Sequence, residues 1–467
     1  MKFLFLIAGF WAVSTFTYAQ LPTAFEQDLQ EILEDGISTY NLKGVEATTI
    51  FSGDCSWTGV AGVRDPSNSP VDLIRKWHWG STGKAMTASI VLQLVDEGLV
   101  DINDPIGDYL GVDTIEHLDG EITIKMLLNH TTNLNNSWSD GSNLWNDVFA
   151  DRDSVWNLWS VLQPEYRDPG DPNPDLVHNY LGYDNYLFLG FLVEEVTGQL
   201  LETAYNERIF EPLGFTNSSM GTFGIDMDEL NGVYEGDSYR GNLAHDSYMS
   251  TRGGGGSYVG SSLDIAKFMR AFHNDELVSS ELMEDARTST NGEPALVPGL
   301  CLGDISQTYG YGTNIIQFDN EEGAISFYGH GGRGLGNCLV LHNIENDFTI
   351  ALTTNDFSAI AQFQNLNLLM DLICYAWDNM ELTDCTLNTQ EDQRESNLTI
   401  YPNPARTTLK IDTDLNLDAV KVRDMQGRVC LTATNVRSID IEELETGMYI
   451  LEIFSGSQSI SRKWIKK

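Results

Sequence analysis

The stretch WGSTGKAMTASIVLQLVDEG, residues 79–98, decides the fold and the chemistry that we expect of this chain. Its apolar residues recur every three to five positions, which is the period of a helix that faces a core. These residues are Met86, Ile90, Val91 and Leu94. The stretch ends in glycine, a residue that commonly follows a helix. It therefore predicts a buried helix.

Two polar residues, Ser81 and Lys84, lie at the front of this predicted helix. Because they are three positions apart at a helix start, they share one face about one turn apart. A serine hydroxyl that meets an amine in an apolar setting can be activated without a histidine. A helix-capping serine beside a solvated lysine would explain the pair alone. It would not explain the blocks of sequence that accompany the pair.

The composition limits the classes of function. The 467 residues include 27 basic and 68 acidic side chains, which gives a formal net charge of -41. This excess of acid argues against nucleic acid or an anionic membrane as a partner. The length predicts two or three domains.

The six cysteines are scattered and include no Cys-x-x-Cys pair, so we predict no metal site and no cofactor. Two disulfide pairings are compatible with export, Cys374 with Cys385 and Cys301 with Cys338. The sequence does not choose between them.

The first 19 residues are typical of a signal peptide. A basic Lys2 precedes the apolar run 3–13, and residues 17–19 resemble a cleavage site. This run is too short to span a bilayer, and no later apolar stretch is long enough. We therefore predict no stable membrane span and expect a protein that is exported through the periplasm and secreted or held at the cell surface.

Between residues 20 and 384 we predict a single domain with strands at both ends and helices between. The predicted helices are 23–40, 122–128, 186–197, 263–272 and 359–377. The predicted strands are 44–51, 55–62, 324–328, 338–341 and 348–353. This order suggests an α+β fold in which one antiparallel sheet, built from both ends of the region, carries the helices.

Two segments without regular patterning bear on the site. Residues 135–175 are rich in Asp, Asn and Pro, and we expect a lid or a variable insertion there. The glycine run 253–256 lacks the Gly-Lys-Ser/Thr that phosphate binding requires. We therefore expect it to form a tight turn near the pocket.

The last part of the chain has a different composition. After a polar linker at 385–396, residues 397–467 alternate polar and apolar positions between turn residues, which predicts a small β-sandwich. From Ser396 onward the chain has ten basic and nine acidic residues, against 17 basic and 59 acidic before it. This contrast supports a domain boundary near residue 390.

Several blocks, taken in order, resemble the serine β-lactamase and penicillin-binding-protein superfamily in its class C and esterase-like branch. They are STGK 81–84 with LQLVDEG 92–98, LLNHTTNL 127–134, YLFLG 186–190 with EEVTG 194–198, and YGHGG 328–332. The resemblance runs from about residue 23 to residue 377. It implies a β-lactamase-like antiparallel sheet flanked by a helical subdomain.

The resemblance also implies roles. Ser81 would be the acylated nucleophile, and Lys84 would take its proton or lower the pKa of the partner that does. Arg333 would donate its backbone N–H, together with that of Ser81, to an oxyanion hole.

The third motif of the family would place His330 on the opposite wall of the site, on a strand. Gly331 and Gly332 would then let substrate lie against this strand, so we count them, with Arg333, as substrate-binding. His130 would be a structural loop residue.

The second motif of the family, Pro-x-x-x-Phe-x-Tyr-Ser-Asn, is altered in this chain. Counting from Pro174 gives Tyr180 as the catalytic tyrosine, with Gly182 in place of the Asn. A literal Tyr-x-Asn, formed by Tyr183 and Asn185, lies closer to the following helix. The resemblance implies that a tyrosine shares the proton transfer with Lys84. We favour Tyr180 as this catalytic tyrosine, with Tyr183 as the alternative, and place Tyr183 and Asn185 among the substrate-binding residues.

The tail has a resemblance of its own, to the C-terminal sorting domain of type IX secretion substrates. The blocks that carry it are IYPNPA 400–405, DMQG 424–427, GMYILEI 447–453 and RKWIKK 462–467. It implies a second export step and the type IX machinery as a partner. An Ig-like accessory module is the alternative.

Together these features predict an exported serine hydrolase that cleaves an amide or ester of a small molecule or peptide. Activity like that of an esterase or a D-amino-acid peptidase fits the histidine of the third motif. The alternatives are a true β-lactamase and a catalytically inactive binding or scaffold protein, the latter because Gly182 replaces the motif's Asn.

Overall fold

A computed structural model describes most of the chain. The described residues are 21–53, 55–111, 120–132, 134, 143–161, 166, 183–215, 217–220, 229–243, 245–288, 297–321, 323–383, 399–403, 405–413, 417–424, 429–434, 436–455 and 458–467. The predicted signal peptide, the predicted linker and Tyr180 lie outside these residues.

An antiparallel sheet of eight strands, in the order β2-β1-β13-β12-β11-β10-β9-β8, organises the larger part of the chain. The strands of this part, including five short ones outside the sheet, are β1 Gly44–Phe51, β2 Cys55–Gly62, β3 Trp77–His78, β4 Ser219–Met220, β5 Val233–Glu235, β6 Ser238–Gly241, β7 Tyr258–Gly260, β8 Val297–Leu300, β9 Gly303–Tyr309, β10 Asn314–Asn320, β11 Gly323–Arg333, β12 Asn337–Asn343 and β13 Phe348–Thr354. Because β1 pairs with β13, the two ends of the region meet in the sheet, as the sequence predicts.

Helices cover both faces of this sheet. They are α1 Thr23–Thr39, α2 Gly83–Asp96, α3 Ile124–Leu128, α4 Asn143–Ala150, α5 Leu158–Val161, α6 Asp184–Thr197, α7 Leu201–Tyr205, α8 Asp246–Arg252, α9 Ser262–His273, α10 Ser280–Ala286 and α11 Ala359–Asp378. The predicted helices are all present. Within the segment expected to be an irregular lid, α4 and α5 are regular helices, while most of the rest lies outside the described residues.

The helix α1 packs on one face of the sheet together with α11. Phe25, Leu29 and Leu33 recur every four residues and are buried against this face, as expected of an amphipathic helix. The helix α9 packs on the other face, against β1, β12 and β13. The two layers explain why all eight residues of β1 are buried, whereas buried and more open residues alternate in the edge strand β2.

The strand β11 is longer than the sequence predicts. The pattern indicates a strand only over 324–328, because glycines such as Gly331 and Gly332 weaken strand propensity. Backbone pairing with β12 nevertheless carries the strand on to Arg333. The third motif therefore lies on a strand, at the end that approaches α2.

The C-terminal residues form two small antiparallel sheets, ordered β14-β15-β18 and β17-β16-β19-β20. Their strands are β14 Thr399–Tyr401, β15 Thr408–Asp412, β16 Ala419–Asp424, β17 Val429–Thr434, β18 Ser438–Asp440, β19 Gly447–Ser455 and β20 Gln458–Lys466. Both sheets contribute to one separate hydrophobic core that includes Leu409, Val422 and Leu451. This arrangement is the predicted β-sandwich.

Both predicted disulfide pairings are wrong. Cys374 of α11 is bonded to Cys301, across a sequence separation of 73 residues, and Cys338 is a buried free thiol. Cys55 also takes part in a disulfide. The turn between β8 and β9 brings Cys301 beside α11, a proximity that spacing along the chain does not reveal.

In the part of the chain that the structure describes, no helix is both long enough and apolar enough to cross a membrane.

Candidate active site

Ser81 lies on a tight turn, Gly80–Thr82, that leads directly into α2. The turn is fixed by two bonds: Trp79 N donates to Tyr258 O at 3.2 Å, and Thr82 Oγ1 donates to Trp79 O at 2.7 Å. Trp79 precedes the turn and Thr82 precedes α2, and neither side chain makes a capping hydrogen bond. Ser81 is therefore held at the tip of a rigid turn and is not a helix cap.

Lys84 points back at this serine. Its Nζ donates to Ser81 Oγ at 3.0 Å, and its side chain is only 2% exposed. Burial, and after it the positive charge of Arg252, lower the pKa of Lys84 to about 7. An amine with this pKa is neutral in a large fraction of molecules at neutral pH, so it can accept the serine proton.

Aromatic rings surround the amine. Lys84 Nζ lies 5.2 Å from the ring centre of Tyr183 and 5.9 Å from that of Tyr186. The hydroxyl of Tyr186 is turned away and donates to Leu128 O at 2.8 Å. The two rings thus provide a low-dielectric wall for Lys84, which is the setting that depresses a lysine pKa.

The hydroxyl of Tyr183 is also occupied. It donates to the backbone carbonyl of Arg252 at 2.6 Å, and burial raises the pKa of this phenol above its usual value. At neutral pH Tyr183 is therefore protonated, with its proton directed at a carbonyl. In this geometry it is a wall of the site, while Lys84 is the group that bonds to Ser81.

The glycine run 253–256 makes room for that ring. A Cβ added to Gly255 would lie 2.6 Å from Tyr183 Cζ. The run forms a tight turn between α8 and β7, beside α2 and α6. The expectation of a tight turn is confirmed, and the turn lies beside the helix that carries Lys84.

Asn185 lies in a fully buried network at the start of α6. Its Oδ1 accepts from Thr132 Oγ1 at 2.6 Å, and its Nδ2 is 2.8 Å from His130 Nδ1. His130 has a positive φ of 59°, an uncommon conformation that this bond supports. Both ends of the Asn185 amide therefore brace the loop between α3 and residue 134, so the predicted contact with substrate has no support in this arrangement.

His330 is completely buried on β11. Its Nδ1 lies 2.6 Å from Gly331 O and its Nε2 lies 3.0 Å from Tyr309 Oη. Because a carbonyl only accepts, Nδ1 carries the proton and Nε2 accepts from the Tyr309 hydroxyl. Burial, aided by the charge of Lys84, lowers the pKa of His330 to about 3. His330 is thus a neutral wall residue next to Lys84 and does not change its charge near neutral pH.

The end of β11 passes along the nucleophile turn. A Cβ added to Gly332 would lie 3.0 Å from Ser81 N, and one added to Gly80 would lie 3.3 Å from Arg333 N. The backbones of Arg333 and Ser81 are therefore neighbours, as an oxyanion hole made of their N–H groups requires. The side chain of Arg333 is exposed, and its Nε donates to Phe357 O at 3.3 Å.

Sequence reasoning missed three residues of the site: Arg252, Tyr248 and Tyr309. Arg252 is 8% exposed, and its Nη2 donates to Tyr248 Oη at 2.5 Å. The only sequence signal for Arg252 is its position directly before the glycine run. Tyr309 has no signal, because its partner His330 comes from another strand.

Among the described residues, no group of three or more His, Cys, Asp or Glu side chains is arranged to hold a metal ion. The site brings together a serine, a lysine whose pKa is lowered to about 7 and two neighbouring backbone N–H groups.

Comparison with known families agrees with this geometry. Residues 25–375 match the Beta-lactamase family, and residues 399–467 match the Secretion system C-terminal sorting domain. The second match indicates export to the cell surface or the medium.

Individual relatives are distant. The chain is 28% identical over 223 residues to the putative penicillin-binding protein PbpX of Bacillus subtilis, covering 45% of this chain and 50% of PbpX. It is 26% identical over 282 residues to the D-aminopeptidase of Brucella anthropi, covering 59% of this chain and 48% of that protein. The chain thus spans about half the length of these two curated relatives.

Solved structures share the fold. A D-stereospecific amidohydrolase from Streptomyces sp. superposes with a TM-score of 0.60 at 23% identity, covering 73% of this chain and 97% of that one.

Proposed function

Because the chain belongs to the Beta-lactamase family of serine hydrolases, we propose that it is an exported enzyme that cleaves an amide or ester bond through an acyl-enzyme on Ser81. The observation that carries this proposal is the 3.0 Å bond from Lys84 Nζ to Ser81 Oγ in a buried, aromatic environment. A neutral amine at that distance can take the hydroxyl proton as the oxygen attacks.

The proposed reaction has two halves. Ser81 Oγ attacks the carbonyl carbon while its proton moves to Lys84 Nζ, and the N–H groups of Ser81 and Arg333 stabilise the oxyanion. The intermediate then collapses: the bond to the leaving group breaks, and the proton passes from Lys84 to that group. Water next attacks the Ser81 ester by the same route, which releases the acid and restores the hydroxyl.

For the substrate class we propose esters or D-amino-acid amides and peptides. A relative named D-aminopeptidase and a structural neighbour named D-stereospecific amidohydrolase support this choice. The neutral His330 favours the esters and amides among these, because His330 carries no positive charge that would attract a substrate carboxylate.

The test of the proposal is labelling of the full chain by a fluorophosphonate probe, followed by turnover of p-nitrophenyl esters, D-Ala peptides and nitrocefin. We expect labelling and turnover that Ser81→Ala abolishes and that Ser56→Ala, on the exposed face of β2, retains. Equal labelling of Ser81→Ala would contradict the proposal. A folded wild-type chain without labelling or turnover would favour the binding or scaffold function, and preferential turnover of nitrocefin would favour a true β-lactamase.

Tyr183→Phe and Tyr180→Phe separate the two candidate tyrosines. If Tyr180 is the catalytic tyrosine, as the motif spacing predicts, its phenylalanine variant should lower kcat/KM by roughly 10²-fold or more. Tyr183→Phe should have a smaller effect, because the Tyr183 hydroxyl donates to Arg252 O and not to the serine. Steady-state kinetics on the best ester checks this order, and a larger loss in Tyr183→Phe would reverse the assignment.

A further inference from the structure

Arg252 is a buried cation at the edge of the proposed acylation site. It ends α8, directly before the glycine run, and only 8% of it is exposed. Its guanidinium carbon lies 4.5 Å from the ring centre of Tyr248 and 5.3 Å from that of Tyr183. Burying a charge is costly unless its surroundings compensate, so a buried arginine here calls for an explanation.

The ring of Tyr183 links this cation to Lys84. Lys84 Nζ lies 5.2 Å from the ring centre, and Arg252 holds the same residue from both its backbone and its side chain. The carbonyl of Arg252 accepts the Tyr183 hydroxyl, while the guanidinium bonds to Tyr248 Oη. One residue therefore fixes the ring against which the amine packs and also brings a permanent charge close to that amine.

We propose that Arg252 is a positioning residue of the acylation site, which clamps Tyr183 against Lys84 and keeps the amine next to Ser81 in its neutral form. Two cations that share one aromatic ring in a buried site repel each other, and arginine remains protonated at any ordinary pH. Lys84 is therefore the group that loses its proton. This inference deepens the proposed function and rests on it.

Groups on the Ser81 turn, on α6 and on β11 face Lys84 and are neutral, whereas Arg252 is a permanent cation. The turn before α2 places the Ser81 hydroxyl against Lys84, and the start of α6 places the neutral rings of Tyr183 and Tyr186 against it. From β11 it meets His330, which is neutral. Burial is the largest cause of the lowered Lys84 pKa, and Arg252 is the charge that adds to it.

The test follows Lys84 directly, by NMR of the full chain with ε-¹³C-labelled lysine, its signal assigned with Lys84→Met. We expect Arg252→Gln to shift the midpoint of this titration upward by about one pH unit, while Arg252→Lys, which retains a charge, restores much of the original midpoint. Arg240→Gln is the control, since Arg240 forms a surface ion pair with Glu235. An unchanged midpoint in Arg252→Gln would overturn the proposal.

A second readout is the rate of fluorophosphonate labelling of Ser81 against pH. In Arg252→Gln the rate should fall about tenfold below pH 7 and approach that of the wild type above pH 9. A uniform loss at every pH would mean that Arg252 only supports the fold. If Arg252→Gln does not fold, the variant to use is Tyr248→Phe, which removes the hydroxyl partner of the guanidinium. The midpoint of the Lys84 titration should then shift in the same direction. The absence of a shift in Tyr248→Phe would overturn the proposal.

The two readouts separate this inference from the proposed function. Absence of Ser81 labelling in the wild type would defeat the function, while the NMR midpoint would still report whether Arg252 controls the ionisation of Lys84.

Discussion

Replacement of Lys84 by methionine should lower kcat/KM on the best substrate by roughly 10²- to 10⁴-fold, the range expected when a general base is removed. Methionine has a similar length and suits the aromatic wall, so the pocket stays filled while the proton acceptor is lost. Ser81 Oγ would then lose the amine that lies 3.0 Å from it. Steady-state kinetics and the rate of fluorophosphonate labelling measure the effect.

The matched control is Lys43→Met, which removes a lysine of the same domain from a surface ion pair with Asp237. It should retain activity, because such pairs contribute little. A Lys84→Met enzyme with near wild-type kcat/KM would mean that another group takes the serine proton, with Tyr180 the first candidate.

The same lysine sets the expected pH dependence. Its pKa of about 7 means that the ammonium form accumulates as the pH falls below 7, and this form cannot accept a proton. The rate of Ser81 acylation should therefore fall about tenfold per pH unit on the acid side. His330 does not account for such a limb, since its pKa of about 3 lies far below this range.

Gly332→Ala should lower the rate of Ser81 labelling by roughly 10²-fold, although it adds only one uncharged methyl group. The new Cβ would overlap Trp79 O, and it would lie 2.6 Å from Cys338 Sγ and 3.0 Å from Ser81 N. The chain must then move β11 away from the nucleophile turn. That movement displaces Arg333 N, one of the two proposed oxyanion donors, and losing such a donor costs about 10²- to 10³-fold.

The matched control is Gly111→Ala, because a Cβ on Gly111 meets no atom within 4 Å. Labelling rates should be read beside thermal unfolding, so that loss of fold is separated from loss of geometry. A folded Gly332→Ala enzyme that labels at the wild-type rate would show that β11 does not contribute to the oxyanion hole.

Local pattern sufficed for the elements that hold the candidate nucleophile. The three-residue spacing of Ser81 and Lys84 places them on one helical face, and the bond between them follows from that geometry. The strands at the two ends of the domain were likewise evident, because β1 and β13 are rich in β-branched residues and lie next to turn signals. Their pairing, β1 with β13, follows from the need to bury both.

The partners of these elements were less evident. Tyr183 bonds to Arg252 across 69 positions, and His330 bonds to Tyr309 across 21. Neither pair has a periodicity or a spacing that a sequence pattern could record. The disulfide of Cys301 with Cys374 is missed for the same reason, since it depends on which strand turn lies beside α11.

The sequence by itself determined which residue is the candidate nucleophile, which lysine accompanies it, and that a sorting domain follows the hydrolase domain. Only the tertiary structure decided the protonation state of Lys84 where it contacts Ser81. Whether Lys84 is neutral depends on how deeply it is buried and on the charge of Arg252, and both are set by chain segments far away in sequence. A pKa responds to distances in space, so the chemistry of this site becomes specific only when the chain has folded.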